Sequence, residues 1–364
     1  MGSKHNHKTG SIRIIHAMLE VMTRLKTLLL LIVVWCCLLN STAVAQKQTG
    51  AEEKELIEAR ALINEGNSKA AIAKLQSLPN VKDPRIAQLL GIAYYHASDL
   101  PRAIETLAPM VDKMPQDSAQ RREAVQVLGL SRYLAGHIAD SIPYLEQTRA
   151  WAPNNNELTY ALGMAYIQTR QPAKARESFS RMFRVAPESA AAHLVTAQMM
   201  IRLEFEEFAE AELKVAIEKD PKLPQAHYLL GQIAIYRSRF DEGIALMEKE
   251  IALNPGNAMA YYKLGDAYTR QLKWDEAIAT LQKSVWINPY YSGPYILLGK
   301  AYLKKKNHST AEGMLKRAIQ YDPNNKSAHY LLAQVYQQMG RTEEAKREFA
   351  IADKLQGNLN EPDR

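Results

Sequence analysis

Six prolines, at 153, 187, 221, 255, 289 and 323, follow one another in steps of 34 residues, and Pro115 precedes them by one step plus four residues. A small residue stands 24 positions ahead of each of these seven prolines: Gly91, Gly129, Gly163, Ala197, Gly231, Gly265 and Gly299. A fixed period of this length describes one supersecondary unit used many times, each too small to bury its own apolar face and completed by its neighbours. A chain so constrained grows by stacking. Its 364 residues therefore need only one domain, although the length alone would suggest two or more.

With the small residue at position 8, units start at Pro84, Arg122, Asn156, Ala190, Pro224, Ala258, Ser292 and Lys326, and a degenerate first unit near Glu52 makes nine. Position 20 is small throughout: Ala71, Ala103, Ser141, Ala175, Ala209, Gly243, Ala277, Ala311 and Ala345. Position 24 is large and apolar, from Leu75 through Phe179 and Leu281 to Phe349. Small residues at 8 and 20 let two antiparallel helices approach closely, while large side chains at 7, 11 and 24 fill the volume around the contact. Proline at position 32 ends the second helix, because it lacks an amide donor and disfavours helical geometry in the residue before it. The pattern predicts an all-α fold of helix-turn-helix units over 52–359, with 46–51 as a linker and 360–364 as a tail.

Tyr261, Leu264, Gly265, Tyr268, Ala277, Leu281 and Pro289, and in the next unit Tyr295, Leu298, Gly299, Tyr302, Ala311, Leu315 and Pro323, resemble the pattern of the tetratricopeptide repeat family. The resemblance runs over about residues 52 to 359 and implies a right-handed solenoid of about nine repeats. Some positions depart from the pattern: Arg132 and Ala234 replace the position-11 aromatic, Thr196 replaces the leucine, and Glu55 and Glu58 stand where apolar residues are expected in the first unit. The last suits an end cap whose outer face meets water.

The N-terminus carries an independent signal. Arg24 and Lys26 precede the apolar run 28–39, and Ala43 and Ala45 are placed for cleavage before Gln46. A basic flank, a short apolar run and an A-x-A site describe a secretory signal peptide, and the run is shorter than the roughly 20 residues of a membrane-spanning helix. Residues 1–45 thus read as an extension and signal, with Met22 as an alternative start, and the chain is expected in the periplasm or cell envelope, or secreted. An uncleaved signal would instead anchor it to a membrane by 28–39. Thr49 to Glu52 read as a capping box that opens the first helix.

Both cysteines, Cys36 and Cys37, lie inside the apolar run, so a chain trimmed behind it has no thiol chemistry. Of the net charge of +7, residues 1–45 supply +4, which leaves too mild a balance to argue for nucleic acid. No nucleotide loop, nucleophile elbow or zinc-protease motif occurs, and no cofactor or metal is expected. His193, His227 and His329 share position 4, where the family places a packing aromatic, and they read as core. Repeats leave no room for a catalytic domain, and an enzyme is not expected.

Binding remains. Positions 2, 5, 9, 12 and 13 form the stripe of the first helix opposite to positions 4, 7, 8 and 11. The stripe carries Tyr160, Met164, Gln198, Arg202, Tyr228, Gln232, Tyr236, Tyr262, Asp266, Arg270, Lys300, Lys304, Tyr330 and Gln334. In the family this stripe lines the concave groove that holds peptide segments, so these residues are expected to contact other proteins, acidic segments among them, and Tyr262 to matter for binding more than for folding. The oligomeric state is left open. Two readings remain: a non-catalytic scaffold or adaptor that organises protein partners in the cell envelope, and an accessory to an enzyme or to glycan assembly and export.

Overall fold

In the computed structural model the described residues are 52–80 and 83–360. The apolar run with its basic flank, the cleavage site, the 46–51 linker, most of the Thr49–Glu52 capping box and residues 361–364 lie outside them. Among the described residues the ordered elements are all helical, and no helix is long and apolar enough to cross a membrane.

The chain forms two compact units, one through Trp151 and one from Ala152. The first contains α1 (52–64), α2 (Ser68–Gln76), α3 (Pro84–His96), α4 (Leu100–Leu107), α5 (Ala119–Leu134) and α6 (Ile138–Trp151), with a short 3-10 turn at Val111–Lys113. The second contains α7 (Asn156–Gln168), α8 (Pro172–Phe183), α9 (Ala190–Arg202), α10 (Glu206–Lys219), α11 (Ala226–Tyr236) and α12 (Phe240–Leu253). It continues through α13 (Ala258–Arg270), α14 (Trp274–Ile287), α15 (Ser292–Lys304), α16 (His308–Tyr321), α17 (Lys326–Gln338) and α18 (Thr342–Asn360). Odd-numbered helices are the first of each pair, and each pair packs on the next within its unit.

The contact inside each pair follows from positions 8, 20 and 24. A Cβ added to Gly265 would lie 2.5 Å from Leu281 Cγ, one at Gly163 2.7 Å from Phe179 Cζ, and one at Gly299 2.5 Å from Leu315 Cγ. Gly91 stands in the same relation to Leu107. Position 20 is buried in every repeat, and so is position 24 up to the half-buried Phe349. Absent Cβ atoms on one helix therefore make room for the largest side chains of the other.

Proline works as expected at the exits of the later repeats. Asp220, Asn254, Asn288 and Asp322, each directly before its proline, have φ of −143°, −136°, −131° and −141° and end α10, α12, α14 and α16. Helix entries are capped by Asp83, Ser118, Asn155, Ser189, Asn257, Asn307 and Asn325, whose side chains accept a backbone N–H of the first turn.

Two features were not evident from the pattern. The turn inside each pair places position 15 in the left-handed region, at Gly66, Ser98, Gly136, Arg170, Glu204, Ser238, Leu272, Lys306 and Gly340, with φ between 57° and 84°. Position 4 does more than fill space: His227 Nε2 and His329 Nε2 lie 3.0 and 2.9 Å from the carbonyls of Pro221 and Pro323, and Tyr295 Oη donates to that of Pro289 over 3.1 Å. Each of these bonds ties a repeat to the proline that ends its predecessor. His193, His227 and His329 are buried core residues, as expected, and His193 adds a 2.6 Å contact from Nδ1 to Glu212.

Candidate functional site

Within the second unit, α11 touches α13, α13 touches α15 and α15 touches α17, so successive first helices form one face. The stripe of positions 2, 5, 9, 12 and 13 runs over it, and its residues fall into three environments.

Some belong to the packing. Met164 is only 6% exposed and lies in the core, so it offers no contact surface, in contrast to its expected groove role; a long apolar side chain at position 9 is drawn inward where glutamine, aspartate or lysine stays wetted. Tyr160 meets Phe179 edge to face at 6.4 Å between ring centroids, and Tyr330 meets Phe349 in the same way at 5.5 Å while remaining exposed on its other side. Tyr262 stands perpendicular to Tyr291 at 5.3 Å. Gly293 lies directly beneath this pair, where a Cβ would fall 3.0 Å from both rings. Tyr228 packs beside Ile235, Met247 and Leu264. Burial raises the Tyr228 phenol above its ordinary pKa, with Tyr291 and Glu250 adding to the effect; burial, then Tyr291 and Asp266, raises that of Tyr262. Both tyrosines are neutral hydrogen-bonding groups at physiological pH.

Others are polar bridges. Gln198 on α9 donates to the Gln225 side chain over 3.2 Å, and Asp266 and Arg270 pair at 3.1 Å one turn apart on α13. Lys263 lies 5.4 Å from the centre of the Tyr262 ring. Gln232 and Gln334 are half-buried beside them along the face.

The third group is open, apart from the half-buried Lys300. Tyr236 is 73% exposed at the end of α11. Arg202, Lys300 and Lys304 have no carboxylate partner among the described residues, and Lys304 joins Lys306, Gln334, Gln337 and Gln338 around a shallow cavity of about 290 Å³. Aromatic area with neutral hydroxyls, primary amides and unneutralised cations is chemistry for binding an extended polar or acidic chain. Tyr291 completes the tyrosine cluster and was missed in the sequence, because it precedes a helix outside the five-position stripe. Its placement in the Tyr290–Tyr291 pair behind Pro289 was the only signal.

One tetratricopeptide repeat model matches residues 133–199 and 302–358, and a second matches 228–292, together more than half of the chain. The chain belongs to the tetratricopeptide repeat family. No curated protein matches it. Among solved structures, a crystal structure of MamA is 24% identical, covering 43% of this chain and 93% of that one with a TM-score of 0.41. MamA 41-end from Desulfovibrio magneticus RS-1 is 20% identical over 47% of this chain and 97% of its own, with a TM-score of 0.44. YrrB, described as a TPR protein with an unusual peptide-binding site, is 20% identical over 51% and 94%, with a TM-score of 0.43.

Proposed function

We propose that this tetratricopeptide repeat protein is a non-catalytic scaffold that holds segments of partner proteins along the first-helix face of its second unit, after export to the cell envelope. The observation that carries this reading is the make-up of that face. Tyr228 and Tyr262 are half-buried, with the more exposed Tyr291 set edge to face on Tyr262, while Tyr236, Arg202 and Lys304 stand open and Lys300 is half-buried without a carboxylate partner among the described residues. A face that met only water would not retain tyrosine at position 5 in four repeats, and a face made only for packing would not carry cations without partners. The surplus positive charge favours an acidic segment, attracted at long range and oriented by the tyrosine hydroxyls. Export is supported by the basic flank, apolar run and A-x-A site of residues 24–45.

A photocrosslinking residue in place of Tyr236, in protein produced in its own cell, tests the binding face. One defined protein adduct is expected there and none from the same residue at the exposed Lys283 of α14. Charge reversal at Lys300 and Lys304 should remove the adduct. Equal adducts from Tyr236 and Lys283 would refute the assignment, and adducts to glycan alone would favour the accessory reading. N-terminal sequencing of the exported protein should begin at Gln46.

A further inference from the structure

The first unit contains a cavity of about 340 Å³ at which two departures from the repeat pattern meet. One is the four extra residues of the second repeat, which fall between Pro115 and Arg122, lengthen α5 at its N-terminus and include Arg121. The other is Arg132, at the position that holds tyrosine in five repeats, as Tyr94, Tyr166, Tyr268, Tyr302 and Tyr336.

Two guanidinium groups line this cavity. The Arg121 side chain is 11% exposed; it donates to the Val111 carbonyl and reaches Asp112 Oδ1 at 3.4 Å. The Arg132 side chain is 22% exposed and lies over the Tyr144 ring at 5.0 Å from its centre. Its Nε is buried without a hydrogen-bond partner, and its nearest carboxylate, Asp140 Oδ2, is 4.0 Å away. Both acids sit at the water's edge, with side chains 91% exposed for Asp112 and 67% for Asp140. Withdrawing two cations from water is costly unless each is closely paired, and exposed acids at these distances are weak, screened partners. The lining is formally neutral, but its carboxylates lie at the exposed rim and its cations inside, and Arg132 Nε leaves an unused donor in the planar fork that matches an oxyanion.

We propose that this cavity binds a small organic anion through a phosphate or carboxylate group held between Arg121 and Arg132. The volume exceeds that of a bare oxyanion and falls at the lower end of small-molecule sites, about 300–1,000 Å³, so there is room for a short organic body against Tyr144 and Gln147. The site is independent of the partner-binding face described above.

The test is calorimetric titration of the purified full chain with inorganic phosphate, glycerol phosphate and acetate, each against chloride at matched ionic strength. Saturable binding is expected, with glycerol phosphate or acetate distinguishing the phosphate from the carboxylate form of the ligand. Arg132→Tyr restores the residue type of the sister repeats and should fold while binding at least about tenfold more weakly. Asp140→Asn, which removes a rim charge, should bind about two- to fivefold more tightly. The proposal fails if neither anion class binds above chloride, or if Arg132→Tyr binds as well as the native chain. Should Arg132→Tyr not fold, unchanged affinity in Asp140→Asn overturns the proposal by itself.

Discussion

Replacing Gly265 by alanine adds one methyl group to the contact between α13 and α14. Its carbon would start 2.5 Å from Leu281 Cγ, whereas carbon atoms rest at about 3.5–4.0 Å, so α14 or the leucine must yield by roughly 1 Å. Leu281 is fully buried and has no solvent side to retreat to. Overpacking of this kind costs about 1–3 kcal/mol. Removing a glycine from a helix interior returns about 0.5–1 kcal/mol, so a net loss of about 0.5–2 kcal/mol is expected. The value separates from generic damage in a double-mutant cycle with Leu281→Ala. That change alone should cost about 2–5 kcal/mol, and less in the Gly265→Ala background, where the added methyl occupies part of the cavity. Urea denaturation followed by circular dichroism reads all four proteins, with midpoints compared only where the slopes agree, because repeat arrays need not unfold in one step. A neutral Gly265→Ala, or additive energies around the cycle, would show that positions 8 and 24 are not coupled as described.

Other glycines give opposite signs for a stated reason. Gly313→Ala in α16 meets open space and should stabilise by about 0.5–1 kcal/mol, whereas Gly136→Ala, also in open space but at φ 84°, should destabilise by about 1 kcal/mol; thermal melts check both. Tyr236→Ala should weaken partner binding and leave the melting temperature unchanged, while Tyr262→Ala should lower both, since Tyr262 packs against Tyr291 and the α13–α15 core. Hydrogen bonding to Arg239, helped by Lys214 and opposed by burial, takes the Glu210 carboxyl from 4.5 down to about 2. A depressed folded-state pKa contributes stability that is complete above about 4.5 and lost as pH falls towards 2. Denaturant midpoints between pH 5 and 2.5 should therefore fall less steeply for Glu210→Gln, by up to ~1–3 kcal/mol after allowance for the exposed partners.

The helical stack was legible because its determinants are local and repeated: a proline that stops a helix, a missing Cβ and a large side chain recur at fixed separations, and each repetition confirms the last. The binding face was legible only in part. Tyr236, Arg202 and Lys304 stand exposed as their helical phase requires, but Met164 turned inward and Tyr262 became a packing residue, since the stripe fixes an angle on a helix and neighbouring helices decide how deep that angle lies. Tyr291 joined the cluster through a contact between repeats that no phase within one helix reveals. Arg132 was visible as a misfit, whereas its company with Arg121 depends on where the extra residues behind Pro115 place the start of α5. The left-handed turn at position 15 is concealed because serine, arginine, glutamate, leucine and lysine occupy it alongside three glycines.

The bonds from His227, Tyr295 and His329 to the proline carbonyls each reach six residues along the chain, across the connector between two repeats. Breaking one loosens a joint without melting a helix, while the packing of neighbouring helix pairs still holds it. Under tension from a bound partner these joints are the compliant elements and the helix pairs the stiff ones, so the second unit should lengthen in small, recoverable steps long before any repeat unravels. A protein held along several repeats would then feel a spring whose stiffness comes from the packing between helix pairs, with these hydrogen bonds adding to it at each joint.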